Sequence, residues 1–165
     1  MDPEEEGRPA AVVLLPWRKN PKEAIAGVKT LNYANQILGL EAARRHDADE
    51  GLWLNTRGHL AEGCTSNLFV IRHRRLYTPA ANDGILPGIV RSLALRAASS
   101  LGMPAHEGKV RLGRLREADE AFLTSSLRGV RPIATFEGRP VGRGAVPGPI
   151  TRKLAEAIRE LRSVS

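Results

Sequence analysis

Two hydrophobic rhythms alternate along the chain, one of strand period and one of helix period. Ala10 to Trp17 (AAVVLLPW) is a β-branched apolar run that predicts a buried strand, ended by Pro16 and the polar stretch Arg18 to Lys22. From Leu31 to Arg45 the apolar residues Leu31, Ala34, Leu38 and Ala42 recur at helical spacing, which places Lys29 just before a helix. At Gly51 the period returns to that of strands. Leu52-Trp53-Leu54, a turn at Thr56-Arg57-Gly58 and then His59-Leu60-Ala61 read as paired strands. Asn67 to Ile71 and Leu76-Tyr77-Thr78 flank the basic stretch Arg72-His73-Arg74-Arg75, which predicts a hairpin or meander. Pro87-Gly88 opens a second helix through Ile89, Val90, Leu93, Ala97 and Leu101, closed by Gly102 and Pro104. Glu120 to Leu123 and Val130 to Phe136 are two further strands. The second turns at Glu137-Gly138 and returns through Pro140-Val141, and Pro149 to Leu161 forms a final amphipathic helix. Strands interspersed with a few helices give an α+β fold with a mostly antiparallel sheet.

Composition sets bounds on this picture. A chain of 165 residues, 42% apolar and 26% charged, has the composition of one folded domain. It is expected over residues 10–165, with residues 1–9, MDPEEEGRP, as a flexible acidic tail. No basic segment with an apolar run opens the sequence and no stretch reaches bilayer length, so a cytoplasmic protein with no membrane partner is expected. The single Cys64 precludes an internal disulfide and a Cys-pair metal site, so no metal is expected. The net charge of +7 raises the question of a polyanionic partner. Only five of the 25 basic residues are lysines, and the arginines are dispersed among acids along the whole chain. With no aromatic interleaving and no recognition-helix signature, a solvated surface is expected and no nucleic acid.

Four local features carry chemistry. Lys29 stands among Ala24, Ile25, Ala26, Gly27, Val28 and Leu31, whereas Lys19 and Lys22 are expected in a polar loop. Apolar surroundings disfavour an ammonium and favour the nucleophilic amine that Schiff-base chemistry needs. Glu62 precedes a glycine and small polar residues ahead of a buried strand, where a carboxylate is able to hold a protonated pyridine nitrogen. Leu86-Pro87-Gly88-Ile89-Val90-Arg91 has the form of an anion cradle, with free amides at a helix start and a glycine that permits close approach. Thr124-Ser125-Ser126, after a strand, offers hydroxyls and amides to the same anion. Each feature alone also reads as an ordinary cap, turn or exposed charge.

Their order is what is distinctive. Lys29-Thr30-Leu31-Asn32-Tyr33, then Ala61-Glu62-Gly63 with Ser66-Asn67-Leu68-Phe69, then Leu86 to Arg91, then Ala118 to Ser125 followed by Pro132-Ile133, resembles the class IV (fold-type IV) pyridoxal phosphate enzymes. These comprise branched-chain and D-amino acid aminotransferases and aminodeoxychorismate lyases. The resemblance runs from about Val12 to the last helix. It implies the large, cofactor-binding domain of that fold, with a barrel-like β core and flanking helices, and pyridoxal 5′-phosphate as cofactor. It further implies that Lys29 forms the Schiff base and shuttles the proton, and that Glu62 pairs with the pyridine nitrogen. Leu86 would pack on the ring face and Ser125 lie at the cofactor's edge, while the amides of Ile89 and Val90, with Ser126, hold the phosphate. Tyr33 matches a tyrosine near the phenolic oxygen in branched-chain enzymes, although the spacing from Lys29 is one residue shorter. Val90 replaces a common threonine. The family's smaller N-terminal domain, which brings a phosphate-binding arginine and much of the substrate pocket, is expected to be absent here. The implied reaction is transamination between an amino acid and a 2-keto acid. The alternatives are elimination of pyruvate from aminodeoxychorismate, and a non-catalytic remnant or partner subunit. A homodimer, or a partner chain supplying the first domain, is the implied assembly.

Overall fold

The computed structural model describes residues 7–163; of the tail expected over residues 1–9, residues 1–6 lie outside the described ones. The strands run β1 (Ala10–Lys19), β2 (Glu50–Asn55), β3 (His59–Gly63), β4 (Asn67–Arg72), β5 (Arg75–Pro79), β6 (Ala105–Gly108), β7 (Val110–Arg111), β8 (Glu120–Ser125), β9 (Gly129–Phe136) and β10 (Arg139–Pro140). The helices are α1 (Ala34–Arg44), α2 (Ile89–Ser100), α3 (Leu112–Arg116) and α4 (Pro149–Ser163). The sheet order β6-β5-β4-β8-β9-β1-β2-β3-β7, with an added β3–β4 pairing, closes β4, β8, β9, β1, β2 and β3 into a six-stranded barrel. Most ladders are antiparallel, as the sequence led us to expect. The exceptions are β1, parallel to both β2 and β9, and β5, parallel to β6.

The barrel closes because every strand turns one apolar row inward. Val12, Leu52, Leu60, Leu68, Leu123 and Ile133, one from each barrel strand, share a single core. Alternate residues of β4 and β8 face outward, where Phe69 and Phe122 stack at 4.9 Å between centroids and 7° between planes. Val90, Ala94 and Ala97 of α2 and Leu154 and Ile158 of α4 cover them. Both faces of β4 are therefore buried, and its sequence is a continuous apolar run rather than an alternating one. The basic turn at Arg72 to Arg75 is a tight hairpin with positive φ at His73 and Arg74. The short β6, β7 and α3 were not anticipated. Two to five residues carry too little periodicity to announce an element.

The helix expected over residues 31–45 is present as α1 but turns a different row inward. Leu31 lies before it and is fully exposed, and Leu38 is half-exposed, whereas Gly39 and Ala43 are buried. Close approach is the reason: a Cβ on Gly39 would stand 2.5 Å from Cys64 Sγ and 3.3 Å from the Trp53 ring. The residue without a side chain therefore marks the contact, Leu40 packs beside it, and the larger Ile37 and Leu38 face away. Among the described residues, no helix is long and apolar enough to cross a membrane.

Two outcomes follow from this packing. Phe122→Ala removes half of a fully buried stack, and its expected cost is about 3–5 kcal/mol in denaturant unfolding; a loss below about 1 kcal/mol would contradict the packing. Burial, reinforced by the nearby Glu50 carboxylate, pushes the Cys64 thiol up to about 12, so the native protein is expected to resist iodoacetamide at neutral pH and to react once unfolded. Rapid labelling of the native chain would contradict it.

Candidate active site

Glu62 is the best-defined member of the site. It is the penultimate residue of β3, is 7% exposed, and pairs in register with Asn67 across the turn into β4. Its Oε1 accepts a hydrogen bond from the Lys19 ammonium. Its Oε2 accepts one from the Leu86 backbone N–H at 2.7 Å and a longer one from Asn67 Nδ2 at 3.5 Å. Burial pushes the carboxyl above the usual carboxylate range. The Lys19 charge and hydrogen bond and the Leu86 N–H pull it back down, while the Glu50 carboxylate adds to the upward push.

Asn67 carries the site onward from Glu62. Its Nδ2 donates to the Leu86 carbonyl at 2.7 Å, and its Oδ1 would lie 2.3 Å from a Cβ on Gly88. It stands opposite Thr124 in the β4–β8 ladder. Glu62, Asn67 and Thr124 thus occupy neighbouring positions on three adjacent strands, with Leu86 and the start of α2 held against them. Gly88 is the N-cap, extended at φ −73° and ψ 148°, and no side chain caps the helix. Its carbonyl accepts from Ser92 N, so the amides of Ile89 and Val90 precede the first intrahelical donors. Leu86 is partly buried, Ile89 is exposed and Val90 is buried in the α2 core. Arg91 turns away, donating to the Pro79 carbonyl at 2.8 Å and pairing with Glu107 at 2.7 Å, so its role is to anchor α2.

Ser125 ends β8, and its Oγ accepts from Arg128 N at 3.1 Å; Ser126 follows in the turn and is exposed. Thr124 is 2% exposed and its Oγ1 has no partner. The turn between β3 and β4 is braced by Glu50, whose carboxylate accepts from Cys64 N at 2.9 Å, Thr65 Oγ1 at 2.9 Å and Ser66 Oγ at 3.1 Å.

Lys29 lies in the exposed loop between β1 and α1, before Tyr33, the 42%-exposed N-cap residue of α1. Contacts tie this loop to the segment before α2. Gly84, at φ +85°, passes so near Pro21 that a Cβ would sit 2.9 Å from its Cα, and a Cβ on Gly27 would meet the Ile85 carbonyl at 3.4 Å. Two expectations are corrected here. The apolar neighbours of Lys29 do not enclose it, since Ile25, Val28 and Leu31 are themselves 48%, 58% and 102% exposed. Lys19 is not in a polar loop but ends β1 and meets Glu62. Beyond an irregularity between Leu14 and Arg18, β1 resumes its pairing with β2 and sets Lys19 opposite Asn55.

These groups match the polar outline of pyridoxal phosphate: an amine, a buried carboxylate with cationic support, uncapped helix amides, and an unpartnered buried hydroxyl beside two serines. The residues present therefore fit such a group. A separate cavity of about 220 Å³, lined by Arg8, Arg44, Ala48, Asp49, Arg128 and Arg131, contains none of the candidate residues.

Both the sequence and the fold have counterparts among known proteins. Residues 1–136 match the family model for class IV amino-transferases. The chain is 33% identical over 126 residues to the branched-chain-amino-acid aminotransferase of Escherichia coli, covering 76% of this chain and 40% of that protein. It is 37% identical over 131 residues to the Pseudomonas aeruginosa enzyme, covering 79% and 42%. In structure it is similar to the branched-chain amino acid aminotransferase of Thermobaculum terrenum in its pyridoxal phosphate form, with TM-score 0.90, 34% identity, and 98% and 53% coverage. A putative 4-amino-4-deoxychorismate lyase from Legionella pneumophila superposes with TM-score 0.87, 30% identity, and 94% and 57% coverage. The chain spans about half the length of these relatives. By the match over residues 1–136 and the shared barrel, this chain belongs to the class IV aminotransferase family.

Proposed function

We propose that the chain binds pyridoxal 5′-phosphate and forms the cofactor side of an enzyme that transaminates an amino acid with a 2-keto acid. The observation that carries this reading is the buried Glu62 carboxylate, fixed between Lys19, Asn67 and the Leu86 N–H at the foot of an uncapped helix. When bound, the cofactor supplies an electrophilic aldehyde and an electron-withdrawing ring.

The remaining work belongs to the protein. Lys29 Nζ would condense with the cofactor's aldehyde, releasing water, and, once displaced by the substrate's amine, would move the proton at the substrate Cα. Glu62 holds the proton on the pyridine nitrogen, and Leu86 lies on the ring face. The amides of Ile89 and Val90 and the Ser126 hydroxyl hold the phosphate, with Ser125 at the edge and Tyr33 towards the phenolic oxygen.

The substrate side is completed by another polypeptide segment or by a second copy of the chain. Two facts support this: the relatives are about twice as long, and the segment bearing Lys29 exposes Ile25, Val28, Leu31, Ile37 and Leu38. The likeness to branched-chain aminotransferases favours an aliphatic amino donor. The Legionella neighbour keeps open elimination of pyruvate from aminodeoxychorismate.

The test is the visible spectrum of the purified chain with pyridoxal phosphate, for the wild type and Lys29→Ala. A bound-cofactor band in the wild type that disappears in the variant is expected; a band unchanged by the substitution would contradict the role of Lys29. Adding L- and D-amino acids with keto-acid acceptors, or aminodeoxychorismate, then assigns the reaction. Keto-acid formation from an aliphatic amino acid is expected, and pyruvate release from aminodeoxychorismate alone would replace transamination by the lyase reading.

A further inference from the structure

We propose that Lys19 is a positioning residue of the cofactor site, whose ammonium group keeps Glu62 ionised and turned so that the carboxylate can hold the proton of a pyridine nitrogen. This rests on the reading of Glu62 as the pyridine partner.

The argument begins with what surrounds Glu62. From β2 comes the Glu50 carboxylate, a like charge that is itself buried. From β4 comes the neutral amide of Asn67, and from the segment before α2 a backbone N–H. Lys19, from the end of β1, is the one cation that bonds to Glu62 among the described residues. Glu62 thus has one bonded counter-charge, Lys19, and one repelling neighbour, Glu50. A buried carboxyl group without a counter-charge takes up a proton rather than remain ionised. Protonated, Glu62 would be a donor where an acceptor is needed.

Lone-pair geometry supports a shared role rather than a competing one. Each carboxylate oxygen accepts two hydrogen bonds. Lys19 uses one position on Oε1, while Leu86 N–H and Asn67 occupy Oε2. One position on Oε1 therefore remains for a ring N–H while the ion pair persists. Lys19 also begins the loop that continues through Pro21 to Lys29, so its ion pair fastens the root of that loop to β3.

The experiment compares wild type, Lys19→Gln, Lys19→Arg and Glu62→Gln, each checked for a native unfolding transition. The dissociation constant for pyridoxal phosphate is measured across the neutral pH range, and the infrared spectrum of the cofactor-free protein is scanned for a protonated carboxylic acid. Lys19→Gln is expected to bind at least about tenfold more weakly at neutral pH. The loss should shrink as pH rises, because a Glu62 without its counter-ion ionises only at higher pH. The acid band should appear in Lys19→Gln and vanish in the double variant with Glu62→Gln. Lys19→Arg, which keeps the charge, should bind like the wild type even if Lys19→Gln proves unstable. Binding by a folded Lys19→Gln within about twofold of the wild type, at every pH and with no acid band, would overturn the proposal for Lys19 if Glu62→Gln still weakens binding. Lys19→Arg carrying the acid band and binding weakly would overturn it equally. An unchanged affinity in Glu62→Gln would instead remove the Glu62 reading on which it stands.

Discussion

A carboxylate buried at the corner where two barrel strands meet is the constraint around which the candidate site is organised. Glu62 is 7% exposed, and an ionised group at that depth is tolerated only when hydrogen bonds and a counter-charge surround it. Its partners come from parts of the chain far apart in sequence: Lys19 from the first strand, Asn67 from the fourth, and Leu86 from the segment before α2. Satisfying one carboxylate therefore draws the β1 end, the β3–β4 turn and the N-terminus of α2 together. The barrel makes this possible, because β2 pairs with both β1 and β3 and so sets Lys19 and Glu62 on the strands that flank it, while the β3–β4 pairing sets Asn67 opposite Glu62.

The site has two electrostatic ends. At the Glu62 end, a negative group is held in a setting that resists charge and is relieved by one ammonium. At the other, the free amides at the start of α2 and the unpartnered Thr124 hydroxyl offer donors without acceptors, the arrangement that suits an anion. Asn67 joins them, bonded to Glu62 and Leu86 and abutting Gly88. Substitution there would disturb both ends at once. Lys29 stands outside this frame, on the loop that the Gly27 and Gly84 contacts tie to the segment before α2.

Much of this was legible in the sequence, and the rest was hidden for physical reasons. The order of Lys29, Glu62, Leu86 to Arg91 and Thr124 to Ser126 was readable only through its resemblance to a known family, since each stretch alone also reads as an ordinary cap, turn or exposed charge. The mixed strand directions at β1 were not, since local alternation is the same in parallel and antiparallel pairs. The inward row of α1 was missed because Gly39, with no hydrophobic side chain, marks the tightest contact. Lys19 was misplaced because a lysine near a strand end reads as solvent-facing until its partner, 43 residues away, is known. Local apolar neighbours suggested shelter for Lys29, yet Val28 and Leu31 face outward, since hydrophobicity in sequence does not say which side is covered.

The central claim is that Lys29 is the amine that takes the cofactor, while Lys19 is engaged by Glu62. Borohydride reduction of the chain mixed with pyridoxal phosphate, followed by peptide mass mapping, tests it most directly. The account predicts a stoichiometric phosphopyridoxyl label on Lys29 and none on Lys19, whose ammonium is held by Glu62. Label spread over Lys19, Lys22 and Lys153, or absent from Lys29, would contradict it.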